Sequence, residues 1–489
     1  MSDPVLAPPD RRVAVDDDAG EEPASPRREW DLALALGVLA LILFAFAARM
    51  RFVHALPAGD EPHYLIINLA LQKYHTIDVM PVYLNRDYWS FYPSILEPHV
   101  SPGPNGPLPL HNIGGPILWH LPFLLFGRAG AMGFMAVVSA LTVVNIFYFL
   151  RELGIARAYA VTVTALFVIG SPLYMYSSML FIEPIAALAV LYAVRMVCRR
   201  EFSGARMAVA STGLGVLPWV HGRFIVFSVI LGGLLVWRVW REVQRRTAWP
   251  YVWSLGPLVV LLAAMEVFNL VVWHSLHFAP NMANYGAAAF QIPVHEGLAG
   301  ALFERHFGLL PNFPIFALVL PGVLLTVRRS LWQLHGVLFV VVVPYVVAVC
   351  SFSAWWAGYS PPARYLAAIT PLLAYYVAAA LQRLHHWLAI VAAVLASLAA
   401  FVLALASDIT PALRFHGDPR TNHVMREVGR LVGVRFEPYL PNSFIDGGQP
   451  VRFVLMTLLV VAFAAAVWAL GRRAPQARIP DPPVRLVGR

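Results

Sequence analysis

Apolar residues in this chain fall into long unbroken runs separated by short polar breaks, with no sustained alternation of the kind a half-buried strand would show. About twelve runs read as membrane-spanning helices. They lie near residues 30–48, 129–150, 159–176, 183–197, 207–219, 224–240, 252–273, 314–327, 331–350, 366–381, 387–406 and 453–470. Several are short for an untilted crossing at about 1.5 Å of rise per residue. The expected fold is therefore all-α and polytopic, with about twelve transmembrane helices. No internal repeat is evident.

The polar breaks differ on the two sides. Arg151 and Arg157, Arg199, Arg200 and Arg206, Arg241, Arg245 and Arg246, Arg328 and Arg329, and Arg472 and Arg473 all fall on one side, together with both termini. By the positive-inside rule that side is cytoplasmic. Residues 1–28, rich in Pro, Asp and Arg, read as a disordered cytoplasmic tail, and 472–489 as a second tail. Between them lies one transmembrane domain, 29–471. Its outer loops are 51–127, 274–312, 353–364 and 407–450. The first run lacks a small-residue cleavage site and reads as a signal anchor. In the last loop Val424, Val428, Leu431 and Val432 form an apolar stripe opposite Arg426, Arg430 and Arg435, which predicts a surface-lying helix.

Composition sharpens this picture. Of 489 residues 59% are hydrophobic and 13% charged, against about a quarter charged in soluble domains. The net charge of +9 is carried almost wholly by arginine, since Lys73 is the only lysine. The arginines flank apolar runs, so they mark topology and the lipid bilayer rather than a nucleic-acid surface. Cys198 and Cys350 fall at opposite membrane faces and cannot pair.

The stretch with most chemical content follows the first run: Gly59-Asp60-Glu61-Pro62-His63-Tyr64. Gly59 permits a tight turn. Asp60 and Glu61 suit the start of a helix, as does Pro62. Tyr64, Ile67, Leu71 and Tyr74 recur at helical spacing, which predicts an amphipathic helix along the membrane surface. An acidic helix cap is the plain structural reading of the two acids. The loop behind them is long and aromatic, with Tyr83, Tyr88, Trp89, Phe91 and Tyr92, and long loops in compact proteins are usually functional.

Asp60-Glu61-Pro62-His63-Tyr64, placed after the first span, resembles the Asp-Glu-x-x-Tyr signature of GT-C glycosyltransferases, which include lipid A aminoarabinose transferases and protein O-mannosyltransferases. The resemblance implies a polyprenyl-phosphate-linked sugar donor, catalysis on the outer face and Asp60 as general base. It implies an acceptor among envelope glycans, lipids or proteins, and inversion at the anomeric carbon. With the arginine-over-lysine bias it implies a bacterial cytoplasmic (inner) membrane. The aminoarabinose branch carries an acidic-lysine pair later in the first loop, whereas this chain offers Glu97-Pro98-His99, so the resemblance names neither sugar nor acceptor.

The chemistry asks for a base and a cation. A carboxylate whose pKa is raised by burial or by a like-charged neighbour serves as the base, and Asp60 beside Glu61 supplies that setting. Glu61 is read as acceptor-binding or orienting, and Tyr64 as a substrate contact. Arg223, Arg305 and Arg364 break the positive-inside pattern at outer span ends, and a guanidinium suits a phosphate. Snorkelling to lipid headgroups is the alternative for each. Tyr359 shares the loop of Arg364. His63, His99, His111, His221 and Glu183 also fall on the outer side, as structural groups or sugar contacts. Glu266 sits within a span, where an ionisable group is either a functional candidate or a structural hydrogen-bond partner of a neighbouring helix. No cofactor is predicted. A divalent cation is compatible with the chemistry, but no HExxH, CxxC or outer DxD-like run offers a site. The main alternative function is a transporter or flippase of lipid-linked sugars, and a second is a non-catalytic assembly protein.

Overall fold

The computed structural model describes residues 26–473 except 200, 247–248, 278, 286, 328–330, 411–412, 414–421, 436 and 445–449. The expected tails 1–28 and 472–489 lie outside the described residues apart from their edges, as do the topology arginines Arg200, Arg328 and Arg329. The first helix starts at Pro26, inside the expected tail.

The protein is an all-α polytopic membrane protein. Among the described residues seven helices are long and apolar enough to cross a membrane: Arg27–His54, His120–Glu152, Gly222–Gln244, Tyr251–Trp273, Trp332–Cys350, Trp387–Ile409 and Pro450–Arg472. The other five expected runs form shorter helices, Arg157–Gly170, Glu183–Cys198, Gly204–Val220, Pro314–Thr326 and Thr370–Leu384. The apolar distribution suits a lipid surround. Leu455, Leu458 and Leu459 on the last helix, and Val259, Val260 and Val271 near the middle of the chain, all point outward. Polar side chains such as Ser139, Thr142 and Thr164 are buried instead. Close packing inside depends on small residues. A Cβ on Gly322 would sit 2.0 Å from the Tyr376 carbonyl oxygen, so the helix 319–326 lies directly on the backbone of the helix 370–384.

The two ends of the bundle differ in charge. At the N-terminal end of the first helix, Glu29 pairs with Arg151 at 2.8 Å and Arg157 at 3.4 Å, and Glu152 pairs with Arg195 at 2.7 Å and Arg199 at 2.9 Å. The opposite end carries the long first loop and Asp60. One buried pair also ties this end together. Arg51, on the first helix, donates to Asp408 at 2.7 Å on the helix Trp387–Ile409, and both side chains are almost fully enclosed.

Two expectations about the loops are corrected. The helix after Asp60, Glu61–Leu69, does not lie exposed on a membrane surface, since Glu61 through Asn68 are all buried. Its polar residues are met inside the protein. Asn68 donates to the Pro116 carbonyl at 2.9 Å and accepts from Trp119 Nε1 at 2.7 Å. The helix His423–Leu431 exists as expected, but only part of its stripe faces inward: Val424 is buried while Leu431 and Val432 are exposed. The proline- and glycine-rich part of the first loop also folds into a small antiparallel hairpin, Val100–Gly103 with Gly106–Pro109. Its tip, Pro104-Asn105-Gly106, carries the turn chemistry that such hairpins need.

Removing one partner of a buried ion pair leaves an uncompensated charge, which costs about 3–5 kcal/mol. Asp408→Asn is therefore expected to lower the thermal midpoint of the purified protein in detergent markedly. An unchanged midpoint would contradict the structural weight given to this pair.

Candidate active site

Asp60 reaches its position through a chain reversal that only glycine fits. Gly59 has φ of +56°, and a Cβ there would sit 2.3 Å from the Tyr359 carbonyl oxygen. The turn is thereby pressed against the loop 353–364. That loop is itself tense: Ala357 and Ala363 hold φ of 67° and 55°, a region costly for residues with a Cβ. It is pinned by Tyr176, whose hydroxyl donates to the Pro361 carbonyl at 2.5 Å, and by Tyr345, whose hydroxyl donates to the Tyr365 carbonyl at 2.9 Å. Between these anchors stands Arg364.

Arg364 joins two acids. Its Nη2 donates to Asp60 Oδ2 at 2.5 Å, its Nε to Glu183 Oε1 at 2.9 Å and its Nη1 to the Ala357 carbonyl at 3.2 Å. Glu183 Oε1 also accepts from Arg223 Nη2. Four charges from four parts of the chain thus form one line, Asp60–Arg364–Glu183–Arg223, with no net charge. Aromatic faces cover the cations: Phe181 lies 4.2 Å from the Arg364 guanidinium, and Phe224 and Tyr365 lie 4.8 and 4.5 Å from that of Arg223. The line runs from buried to open. The Glu183 side chain has no exposure, whereas that of Asp60 is 25% exposed. Several buried polar atoms here have no protein partner, namely Glu183 Oε2, Arg223 Nε and the Tyr64 hydroxyl. Such atoms are rare in native proteins, where an ordered water, an ion or a polar ligand meets them.

The Asp60 side chain makes no capping bond to the helix it precedes, so the plain cap reading fails. The expected raised pKa fails as well. Burial alone would raise the carboxyl, but the charge of Arg364, aided by His111 and the hydrogen bond, holds it well below the usual carboxylate range. Glu61 does not face Asp60 as a like-charged neighbour. Its two oxygens accept from the backbone N–H groups of Leu180 at 2.9 Å and Ala58 at 3.0 Å, so it positions the turn, the orienting part that the sequence allowed it.

The histidines form a stack beside Asp60. The His63 and His99 rings lie 3.6 Å apart, His99 Nδ1 and His111 Nε2 are 3.3 Å apart, and His63 Nδ1 pairs with the Tyr83 hydroxyl at 2.6 Å. Burial and mutual repulsion keep His63 far below its ordinary pKa. For His111, burial outweighs the pull of Asp60 and brings the value down to about 4. All three rings are neutral at physiological pH, able to give and accept hydrogen bonds. His221 accepts the Arg223 backbone N–H on Nδ1 at 3.2 Å and so shapes the turn that presents Arg223.

Two expected members stand apart. The Arg305 guanidinium lies 3.8 Å from Glu437, and the Arg305 backbone bonds to Pro441 and Asn422, so it fastens the loop 407–450 instead of facing Asp60. Tyr359 contributes its carbonyl to the Gly59 contact, while its side chain is 60% exposed. Sequence reasoning missed the stacking partners Phe181 and Tyr365, although one lies two residues before Glu183 and the other directly follows Arg364. It also missed Glu304. Burial pushes this acid up to about 8 despite N–H groups of His306 and Phe307 donating to Oε2 at 2.7 Å each. Among the described residues no group of three His, Cys, Asp or Glu is placed to hold a metal ion.

No protein-family model matches the chain, and no curated protein matches it. Solved structures similar to it include an oligosaccharyltransferase from Archaeoglobus fulgidus in the apo form, with a TM-score of 0.46 and 14% identity over 79% of this chain. This chain spans 57% of that protein's length. ArnT from Cupriavidus metallidurans is similar in the apo state, with a TM-score of 0.45 and 18% identity over 94% of this chain and 77% of ArnT. It is also similar bound to undecaprenyl phosphate, at 0.44 and 17% over the same shares. Likeness of this degree carries no correspondence between residues.

Two outcomes follow from this geometry. Gly59→Ala would force the Asp60 turn away from the loop of Arg364, so Asp60–Arg364 pairing and any activity of the site should be lost while the helices remain. Retained activity would contradict the close-contact reading. For Glu304, the folded state holds its proton up to about pH 8 against an ordinary value of 4.5. This stabilising contribution is full below the ordinary value and is lost as pH rises through 8. Glu304→Gln should flatten that alkaline decline in thermal midpoint. Parallel profiles for the two proteins would refute it.

Proposed function

We propose that this protein is a membrane glycosyltransferase that moves a sugar from a polyprenyl-phosphate carrier to a hydroxyl- or amine-bearing acceptor on the outer face of the cytoplasmic membrane. The observation that carries this reading is the line Asp60–Arg364–Glu183–Arg223, which sets a carboxylate open to water beside two guanidiniums shielded by aromatic rings. The acid lies in the motif that resembles the GT-C signature.

The parts suit the chemistry of glycosyl transfer. An acceptor hydroxyl attacks the anomeric carbon from the face opposite the phosphate, and the sugar's anomeric configuration inverts. As the new carbon–oxygen bond forms, the bond to the phosphate oxygen breaks and its electron pair leaves with the phosphate. Arg364 and Arg223 meet that developing charge. Asp60 receives the acceptor's proton. Held by Arg364, Asp60 is a weak base. A donor phosphate competes for the same guanidinium, and as Arg364 turns to it the proton affinity of Asp60 rises. Glu183 keeps both arginines in register. Tyr64 and the neutral histidines His63, His99 and His111 line the approach with hydrogen-bonding groups that fit sugar hydroxyls.

One observation favours transport of a lipid-linked sugar as a second reading. Glu266 lies within the helix Gly256–Trp273, and its buried Oε2 has no protein partner.

The test is lipid mass spectrometry on cells lacking the protein, complemented with wild type or with Asp60→Asn at equal expression. The null and the Asp60→Asn cells should both accumulate the same polyprenyl-phosphate sugar, because loss of a general base slows transfer by about 100- to 10,000-fold. A wild-type lipid profile in the Asp60→Asn cells would overturn Asp60 as base. A requirement for Glu266 but not Asp60 would move transport ahead.

A further inference from the structure

The helix His120–Glu152 contains a break. At Gly127 the backbone turns to φ 57° and ψ −143°, and a Cβ on Gly130 would collide with the Pro122 carbonyl. The chain therefore folds back sharply, and the short arm before the break points Leu121, Leu125 and Phe126 outward, with Phe126 71% exposed. Arg128 is the first residue past the break. It faces a groove of about 730 Å³ walled by Phe52, Leu56, Trp89, Phe91, Phe123 and Leu124.

Arg128 is incompletely used by the protein. Its Nη1 donates to the Ala55 carbonyl at 2.8 Å, and its guanidinium lies 5.5 Å from the Phe52 ring. Nε and Nη2 are buried and have no protein partner. Among the described residues no acid pairs with it. Phe52, Leu56, Trp89 and Leu124 around the groove are each more than two-fifths exposed, and His54, Gln72 and Ser90 line it beside them, so the groove offers apolar and polar surface together. Asp60 does not line the groove, although the charge of Glu61 reaches Arg128. The wall includes Leu69, the last residue of the loop helix that starts beside Asp60 and about 12 Å along it, and Gln72 beyond that end.

We propose that this groove is a binding site for a phosphate-bearing anionic lipid, toward whose phosphate Arg128 turns its two unpartnered donors and whose chains lie along the apolar side chains of the wall. A guanidinium with two adjacent N–H groups free matches two phosphate oxygens. The exposed side chains of Phe52, Leu56, Trp89 and Leu124 give acyl chains a surface to lie on, which favours a phosphate carried on a lipid over one free in water. The inference does not depend on glycosyl transfer.

Native mass spectrometry of the full-length protein in detergent tests it, with phosphatidylglycerol as probe and phosphatidylcholine as the uncharged comparison. Wild type should retain phosphatidylglycerol in preference to phosphatidylcholine, and Arg128→Gln should weaken that binding by about tenfold. Inorganic phosphate should bind far more weakly than the lipid. Equal binding by Arg128→Gln, or inorganic phosphate binding as tightly as the lipid, would overturn the site. A photoreactive phosphatidylglycerol on the wild-type protein gives an answer independent of how the variant folds. Crosslinks should fall within residues 52–56 and 123–128, and crosslinks confined to other segments would refute the placement.

Discussion

Arg364 between Asp60 and Glu183 is the interaction on which this end of the protein depends. Taking a guanidinium and two carboxylates out of water costs several kcal/mol per ion unless each finds partners of good geometry. Here each does: 2.5 Å to Asp60, 2.9 Å to Glu183, and a third bond to the Ala357 carbonyl. Much of the surrounding structure can be traced to holding that geometry. Gly59 has no side chain because the Tyr359 carbonyl lies where one would be. Tyr176 and Tyr345 fix the loop from below. The Phe307 carbonyl accepts the Ala363 N–H at 2.9 Å, which ties the loop of Arg364 to the neighbouring segment and, through Arg305 and Asn422, to the last loop. Buried ion networks contribute little stability against apolar replacements of the same shape. Their presence beside strained backbone and unpartnered polar atoms therefore speaks for function.

The same constraint explains the Asp60 carboxyl. A carboxylate locked to a guanidinium is ionised but reluctant to take a proton. In the proposed reaction, chemistry begins only when something more negative claims the guanidinium, as a phosphate ester would. On that proposal the base and the phosphate site are two states of one cation, which would couple donor arrival to acceptor activation without a moving domain.

The helices were legible in the sequence because a hydrocarbon surround demands long apolar runs: all twelve expected runs are largely helical among the described residues, though seven helices and not twelve are long and apolar enough to cross a membrane. The site was half legible. Arg223 and Arg364 were marked by standing on the side where arginines are scarce, and Asp60 by its place after the first span. Arg305 carried the same mark, yet Glu437 holds it, because the signal reports sidedness and not contact. The loop helix was misread as surface-lying. Its polar residues His63 and Asn68 imitate a wet face, but Tyr83, Trp119 and Pro116 satisfy them indoors. Glu61 was misread only as a like-charged partner of Asp60, because adjacency in sequence suggested a facing pair whereas successive helical residues point apart; its orienting part stands. Arg128 gave no signal at all, since the break at Gly127 that frees it is a matter of backbone geometry.

Binding of polyprenyl monophosphate to the purified wild type and to Asp60→Asn, with turnover measured on the same samples, tests the competition for Arg364 most directly. If phosphate and Asp60 share that guanidinium, Asp60→Asn removes the rival and binds the lipid phosphate more tightly while losing turnover. Equal or weaker binding with turnover preserved would mean that Arg364 is a structural tie and that the chemistry lies elsewhere.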